Sequence, residues 1–111
     1  MRCDIVMPVW NKKELTSRCL DSIFENTNCD YRIIIIDNAS DSPVRGYLDS
    51  LKQSHPDKII LIRNQENLGF TKAVNQGIVN SSGEYVCVMN NDVIVFDGWL
   101  SEMIRIAESS K

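Results

Sequence analysis

Tyr31-Arg32-Ile33-Ile34-Ile35-Ile36-Asp37-Asn38-Ala39-Ser40 runs through four consecutive isoleucines and stops at a polar cluster. A strand with one wet face alternates apolar and polar side chains. An unbroken β-branched run has no wet face, which is the signature of a strand buried on both sides in a parallel sheet. A strand is therefore predicted over residues 31–36. Past the polar exit, Pro43 suits the first turn of a helix over residues 44–54, where its missing N–H costs nothing.

The same grammar repeats along the chain. Ile5-Val6-Met7-Pro8-Val9 reads as a strand, with Pro8 marking its end or an irregularity because it donates no ladder bond. Asn11 stands three residues before Glu14, a capping-box-like pattern. Leu15, Cys19, Leu20, Ile23 and Phe24 then fall at helical spacing and predict one buried face. A third strand is predicted over residues 58–63, then a polar loop over residues 64–69. Phe70, Val74, Gly77 and Ile78 come next at helical spacing. Ser81-Ser82-Gly83-Glu84 is a turn. It feeds Tyr85-Val86-Cys87-Val88-Met89, read as a buried strand that ends at Asn90-Asn91-Asp92-Val93. Trp99, Met103, Ile104 and Ala107 predict a last amphipathic helix, capped near Asp97. Strict β-α alternation with short loops predicts an α/β class: a parallel-sheet, Rossmann-like α/β/α sandwich with right-handed crossovers.

The 111 residues suffice for one domain and not two. A net charge of −3 leaves no basic face for nucleic acid, and Lys12-Lys13 is too short to make one. The apolar run Ile33 to Ile36 is far short of the roughly 20 residues of a membrane span. The opening residues run straight into a strand, so no secretory signal is expected. Cys3, Cys19, Cys29 and Cys87 show no CxxC spacing and no histidine partner motif, which argues against zinc. Buried reduced thiols and a cytoplasmic setting are expected.

In a parallel sheet all strand C-termini meet at one edge. Asn11 comes after the first strand, Asp37, Asn38 and Ser40 after the second, Asn67 and Gly69 after the third, and Asn91 and Asp92 after the fourth. Helix N-termini at that edge offer free N–H groups and a partial positive charge, which suit a phosphate. Carboxylates there repel a phosphate unless a divalent cation stands between. Hard oxygen ligands favour Mg²⁺ or Mn²⁺. A nucleotide diphosphate bridged through a metal satisfies both. Plainer readings stand beside this one. Asn11 serves equally as a helix cap, residues 37–40 as an Asx turn, Asn67 and Gly69 as a loop with a left-handed glycine, and Asp92 as a turn cap. Lys72 is a solvated helix residue unless it reaches phosphate. Asn75 sits one turn from Thr71. His55, the sole histidine, reads as a solvated loop residue. No GxGxxG, GxxxxGK[ST] or GxSxG motif is present.

Four segments in order carry a family resemblance. Ile5-Val6-Met7-Pro8-Val9-Trp10-Asn11 resembles the opening strand and PxYN turn of family 2 glycosyltransferases, with Trp10 in place of tyrosine. Ile36-Asp37-Asn38-Ala39-Ser40 resembles their VDNaS segment. Residues 67–77, NLGFTKAVNQG, resemble their NxGfaxaxNxG helix. Asn90-Asn91-Asp92 stands where the DxD metal motif belongs, in an Asn-Asn-Asp form similar to rhamnosyltransferase-like members. The resemblance implies a GT-A type fold, of which residues 1–111 are the donor-binding N-terminal half, truncated before the catalytic base. That base is expected beyond Lys111.

The nucleotide-contacting set it implies is Pro8, Val9, Asn11, Glu14, Asp37, Asn38, Ser40, Asn67, Gly69, Lys72, Asn75, Asn90 and Asn91. Asp92 is implied as the Mg²⁺ or Mn²⁺ ligand. The implied reaction is inverting, metal-assisted transfer from a UDP- or dTDP-linked sugar to the hydroxyl of an acceptor glycan or lipid-linked sugar, in cell-surface polysaccharide synthesis. Peripheral association with the inner membrane face and self-association through apolar surface exposed by truncation are further implications. Three other classes compete with this reading. A non-catalytic nucleotide-sugar-binding module differs only in the sequence beyond Lys111. A receiver-type signalling domain requires an acidic pair after strand one, where Pro8-Val9-Trp10-Asn11 has none. A nucleotidyltransferase requires a glycine-rich basic loop there.

Overall fold

The computed structural model describes residues 2–110. Four parallel strands alternate with four helices: β1 (Cys3–Val9), α1 (Lys13–Asn26), β2 (Tyr31–Asn38), α2 (Ser42–Ser54), β3 (Ile59–Asn64), α3 (Phe70–Val79), β4 (Tyr85–Val88) and α4 (Trp99–Ser109). The strand order is β3-β2-β1-β4. Ile5 pairs with Ile33, Val6 with Ile34 and Met7 with Ile35.

This register sorts the side chains by parity. Ile5, Met7, Ile33 and Ile35 face Cys19, Leu20, Ile23, Val44, Leu48 and Leu100, so α1, α2 and α4 cover one side. Val6, Ile34 and Ile36 face Ala73 of α3 on the other. Ile33 to Ile36 are fully buried on both sides, as the isoleucine run requires.

β4 departs from the expectation of full burial. Tyr85 and Cys87 pack against the main core, but Val86 and Val88 are 40% and 43% exposed. The reason is topological. β4 is an edge strand, and α3 packs mainly on β1 and β2.

Helix faces also differ in detail. Leu15, Phe70, Ile78 and Met103 are exposed, whereas Thr16 and Ser22 are buried on α1, Ala73 and Gly77 on α3, and Leu100 on α4. On α3 small residues win because the helix lies very close to the sheet. A Cβ on Gly77 would meet Val6 Cγ1 at 2.3 Å and Ile36 Cδ1 at 3.0 Å. The cap of α4 falls next to Asp97, at Gly98, with φ 78° and no side-chain bond. His55 is half-buried and stacked on Phe24 at 4.4 Å rather than solvated. All four cysteines are free. Burial pushes the Cys3 thiol up to about 12 and the Cys19 thiol to about 11.

Candidate functional site

The C-terminal edge is built by loops that brace one another. Val6 O accepts from Met89 N, so strand alternation aims the nitrogen of Pro8 at the same side. β4 has ended there, and Pro8 breaks no ladder bond. After Val9 the chain turns through Asn11 and Lys12, at φ 58° and 63°. The left-handed region costs non-glycine residues on the order of 1–2 kcal/mol each. Two hydrogen bonds to the β2–α2 loop hold the turn: Asn11 N donates to Ser40 Oγ at 2.9 Å, and Asp41 N donates to Asn11 Oδ1 at 2.8 Å. Asn11 is therefore a latch between two loops and not the cap of α1. Lys12 is the cap position, without a side-chain bond, and the expected capping box is absent. Glu14 instead pairs with Arg18 at 2.7 Å.

Asp37 is fully buried. Its Oδ1 accepts from Ser40 N at 2.9 Å and its Oδ2 from Arg63 Nε at 3.1 Å. Arg63 also donates to Asp49 Oδ1 and to the Arg45 carbonyl, tying β3 to α2. Burial opposes the Arg63 charge, but the Asp49 and Asp37 carboxylates outweigh it and raise its pKa. Asn38 braces the next loop. Its Nδ2 donates to Gly69 O, and its Oδ1 accepts from Asn64 Nδ2 and Leu68 N. Asn67 Oδ1 accepts from Gly69 N at 2.8 Å, forming the turn that starts α3. The β4 exit is held by α1: Asn91 Nδ2 donates to Thr16 Oγ1 at 2.8 Å, and Cys19 Sγ to Asn90 O at 3.7 Å.

Two clefts open at this edge. One, of about 350 Å³, is lined by Pro8, Val9, Trp10, Lys12, Asn38, Asn67, Gly69, Phe70, Asn90 and Asn91. The other, of about 500 Å³, is lined by Asp37, Ala39, Ser40, Arg45, Arg63, Asn64 and Gln65. The larger is walled by Asp37 and Arg63, which are already paired with one another, and by the exposed Arg45. The smaller joins segments from three strand exits, β1, β2 and β4, to the start of α3, and is the better candidate for a ligand.

Pro8, Val9, Asn38, Asn67, Gly69, Asn90 and Asn91 of the sequence-derived set meet in the smaller cleft, and Asp37 and Ser40 in its neighbour. Asn11 sits between as the latch. Glu14, Lys72, Asn75 and Asp92 are exposed and line neither cleft, although Asp92 directly succeeds Asn91. The set missed Trp10, Lys12 and Phe70, and also Arg45 and Arg63. Trp10 and Phe70 are 53% and 54% exposed. An aromatic residue directly after buried Val9 was the available signal for Trp10.

The donor set fits Mg²⁺ or Mn²⁺ as an open site. Among the described residues no group of three or more His, Cys, Asp or Glu side chains is placed to hold a metal alone. Asp92 offers one exposed carboxylate beside two amides. Mg²⁺ is commonly bound by one or two carboxylates with substrate phosphates and water completing the shell.

A parallel sheet with helices on both faces and a polar cleft at its carboxyl edge defines the class: an open α/β domain of Rossmann-like form. The sequence model of Glycosyl transferase family 2 matches residues 4–111, and this chain belongs to that family. It is 31% identical over 94 residues to a poly(ribitol-phosphate) beta-glucosyltransferase of Bacillus spizizenii, covering 83% of this chain and 15% of that protein. It is 33% identical over 88 residues to glycosyltransferase GlyA of Streptococcus pneumoniae, covering 79% and 12%. Among solved structures, a mannosyltransferase from Pyrobaculum calidifontis in complex with GDP-Man and Mn²⁺ superposes with TM-score 0.84 at 21% identity, over 93% of this chain and 31% of that one. S. aureus TarS 1–349 in complex with UDP-GlcNAc superposes with TM-score 0.83 at 15% identity, over 98% and 32%. The chain spans about a sixth or less of the length of these two curated relatives.

Proposed function

We propose that this chain is the nucleotide-sugar-binding half of an inverting glycosyltransferase. The observation that carries the reading is the smaller cleft, where amides and apolar groups from β1, β2 and β4 meet the start of α3. Trp10 and Phe70 offer flat surfaces to a base or ribose. Asn67, Asn90 and Asn91 offer amide donors and acceptors to ribose and phosphate. Asp37, buried and held by Ser40 N and Arg63, fixes the β2–α2 loop that lines the neighbouring cleft.

Asp92 and the diphosphate oxygens would hold Mg²⁺ or Mn²⁺, which supplies charge neutralisation for a leaving diphosphate. In the transfer, an acceptor hydroxyl oxygen bonds to the anomeric carbon as the carbon–oxygen bond to diphosphate breaks. A base takes the hydroxyl proton. One relative, a poly(ribitol-phosphate) beta-glucosyltransferase, supports a polymer hydroxyl as the acceptor. Among the described residues no helix is long and apolar enough to cross a membrane.

Calorimetric titration of UDP with and without Mn²⁺, into the wild-type chain and Asp92→Ala, tests the reading. The expected result is binding strengthened by Mn²⁺, with that increment lost in Asp92→Ala. UDP that binds in neither condition contradicts the reading. Parallel dTDP and GDP titrations assign the base.

A further inference from the structure

We propose that Lys12 is the counter-charge for the diphosphate and gives this cleft affinity for nucleotide without a divalent metal. The proposal rests on the nucleotide reading above and adds a residue and a metal independence to it.

Among the described residues, Lys12 is the one charged residue in the lining of the 350 Å³ cleft. The rest are amides, aromatics, a glycine, a proline and a valine. No described carboxylate lines it: Glu14 is paired with Arg18, and Asp92 lies outside the lining. An anion entering the cleft therefore meets a cation first and no like charge. Lys12 makes no ion pair with any described residue, so its charge is not already neutralised.

The backbone fixes where that charge sits. Lys12 has φ 63° and ψ 55°, its carbonyl accepts from Thr16 N at 2.9 Å, and the preceding Asn11 is latched to the β2–α2 loop. The lysine is thus set at the rim and not on the outer face of α1. The surroundings reinforce it. α1 and α3 begin at this cleft, with Lys12 and Gly69 as cap positions in its lining, and neither has a side-chain cap. α2, which begins outside it, is capped by Asp41, which accepts from Val44 N at 3.3 Å. The starts of α1 and α3, without side-chain caps, therefore lie beside the lysine, and their partial positive charge adds to its field.

The test is titration of UDP and uridine in EDTA into wild type, Lys12→Met, Lys12→Arg and the neighbouring control Lys13→Met, with thermal unfolding to confirm equal folding. Expected is UDP binding in EDTA that weakens with added salt. Lys12→Met should bind UDP about tenfold more weakly, the loss of one close charge pair in high dielectric. Lys12→Arg and Lys13→Met should bind like wild type. Uridine, which has no phosphate, should bind wild type and Lys12→Met equally. The inference is overturned if Lys12→Met binds UDP as wild type does, if it loses uridine in step with UDP, or if wild type binds UDP only with Mn²⁺. That last result leaves the nucleotide reading intact. UDP that binds with neither EDTA nor Mn²⁺ overturns both.

Discussion

At the scale of single residues, the strongest constraint lies at the sheet edge away from the site. Asp4 is fully buried in β1. Arg32 grips it with two bonds of 3.2 Å, and Ser82 N and Gly83 N donate to its Oδ2 at 2.7 and 2.8 Å. Burial opposes its charge, but the Ser82 amide, the Arg32 guanidinium and the Gly83 amide outweigh it and hold the carboxyl below its ordinary 3.8. A depressed carboxyl contributes stability that is full above the unfolded value and lost as pH falls through the folded one. Removing one partner of such a buried pair costs about 3–5 kcal/mol. Asp4→Asn is expected to lower stability by about 3 kcal/mol at pH 7, with the gap to wild type closing below pH 3.8. Urea unfolding at pH 7 and pH 3 measures both; an equal gap at the two pH values contradicts the assignment. Nothing in the sequence marked Asp4, because its partners come from 28 and 78 residues away.

At the scale of elements, α3 separates local propensity from packing. Glycine inside a helix is worse than alanine by about 1 kcal/mol, so propensity alone predicts that Gly77→Ala stabilises. The contact of 2.3 Å from a Cβ to Val6 Cγ1 predicts the opposite. Overpacking of this kind costs about 1–3 kcal/mol, and packing should win. Gly77→Ala is expected to lower the unfolding midpoint; a raised midpoint would show that α3 can lift off the sheet. The same helix shows where element-level reading stops. Its existence and start were legible from spacing and from Asn67-Leu68-Gly69. Its buried stripe was legible at Gly77 but not at Ala73. Apolar periodicity selects large residues, and this face is closed by Ala73 and Gly77 because the backbone itself approaches the sheet. The capping box failed for a related reason. The Asn11 side chain found a partner 30 residues away, at Asp41, and left the helix uncapped.

At the scale of the whole molecule, alternation of strands and helices was enough to predict a parallel sheet and the edge that collects polar exits. The isoleucine run placed β2 inside, and it pairs on both sides. The edge position of β4 was not legible, because Tyr85-Val86-Cys87-Val88 reads the same whether one or two faces are covered. Residues at the strand exits could be grouped from the sequence because topology alone brings them to one edge. Trp10, Lys12 and Phe70 were outside that group because their place in the cleft lining depends on how neighbouring loops fold around them.

The central claim is that ligand binds at the carboxyl edge of the sheet, and amide chemical-shift mapping with UDP and Mg²⁺ tests it most directly. The account predicts that Val9, Asn38, Gly69, Asn91 and the Trp10 indole N–H shift, while Arg32, Ser82 and Gly83 at the opposite edge stay silent. Shifts confined to that opposite edge, or none at saturating nucleotide, would contradict it.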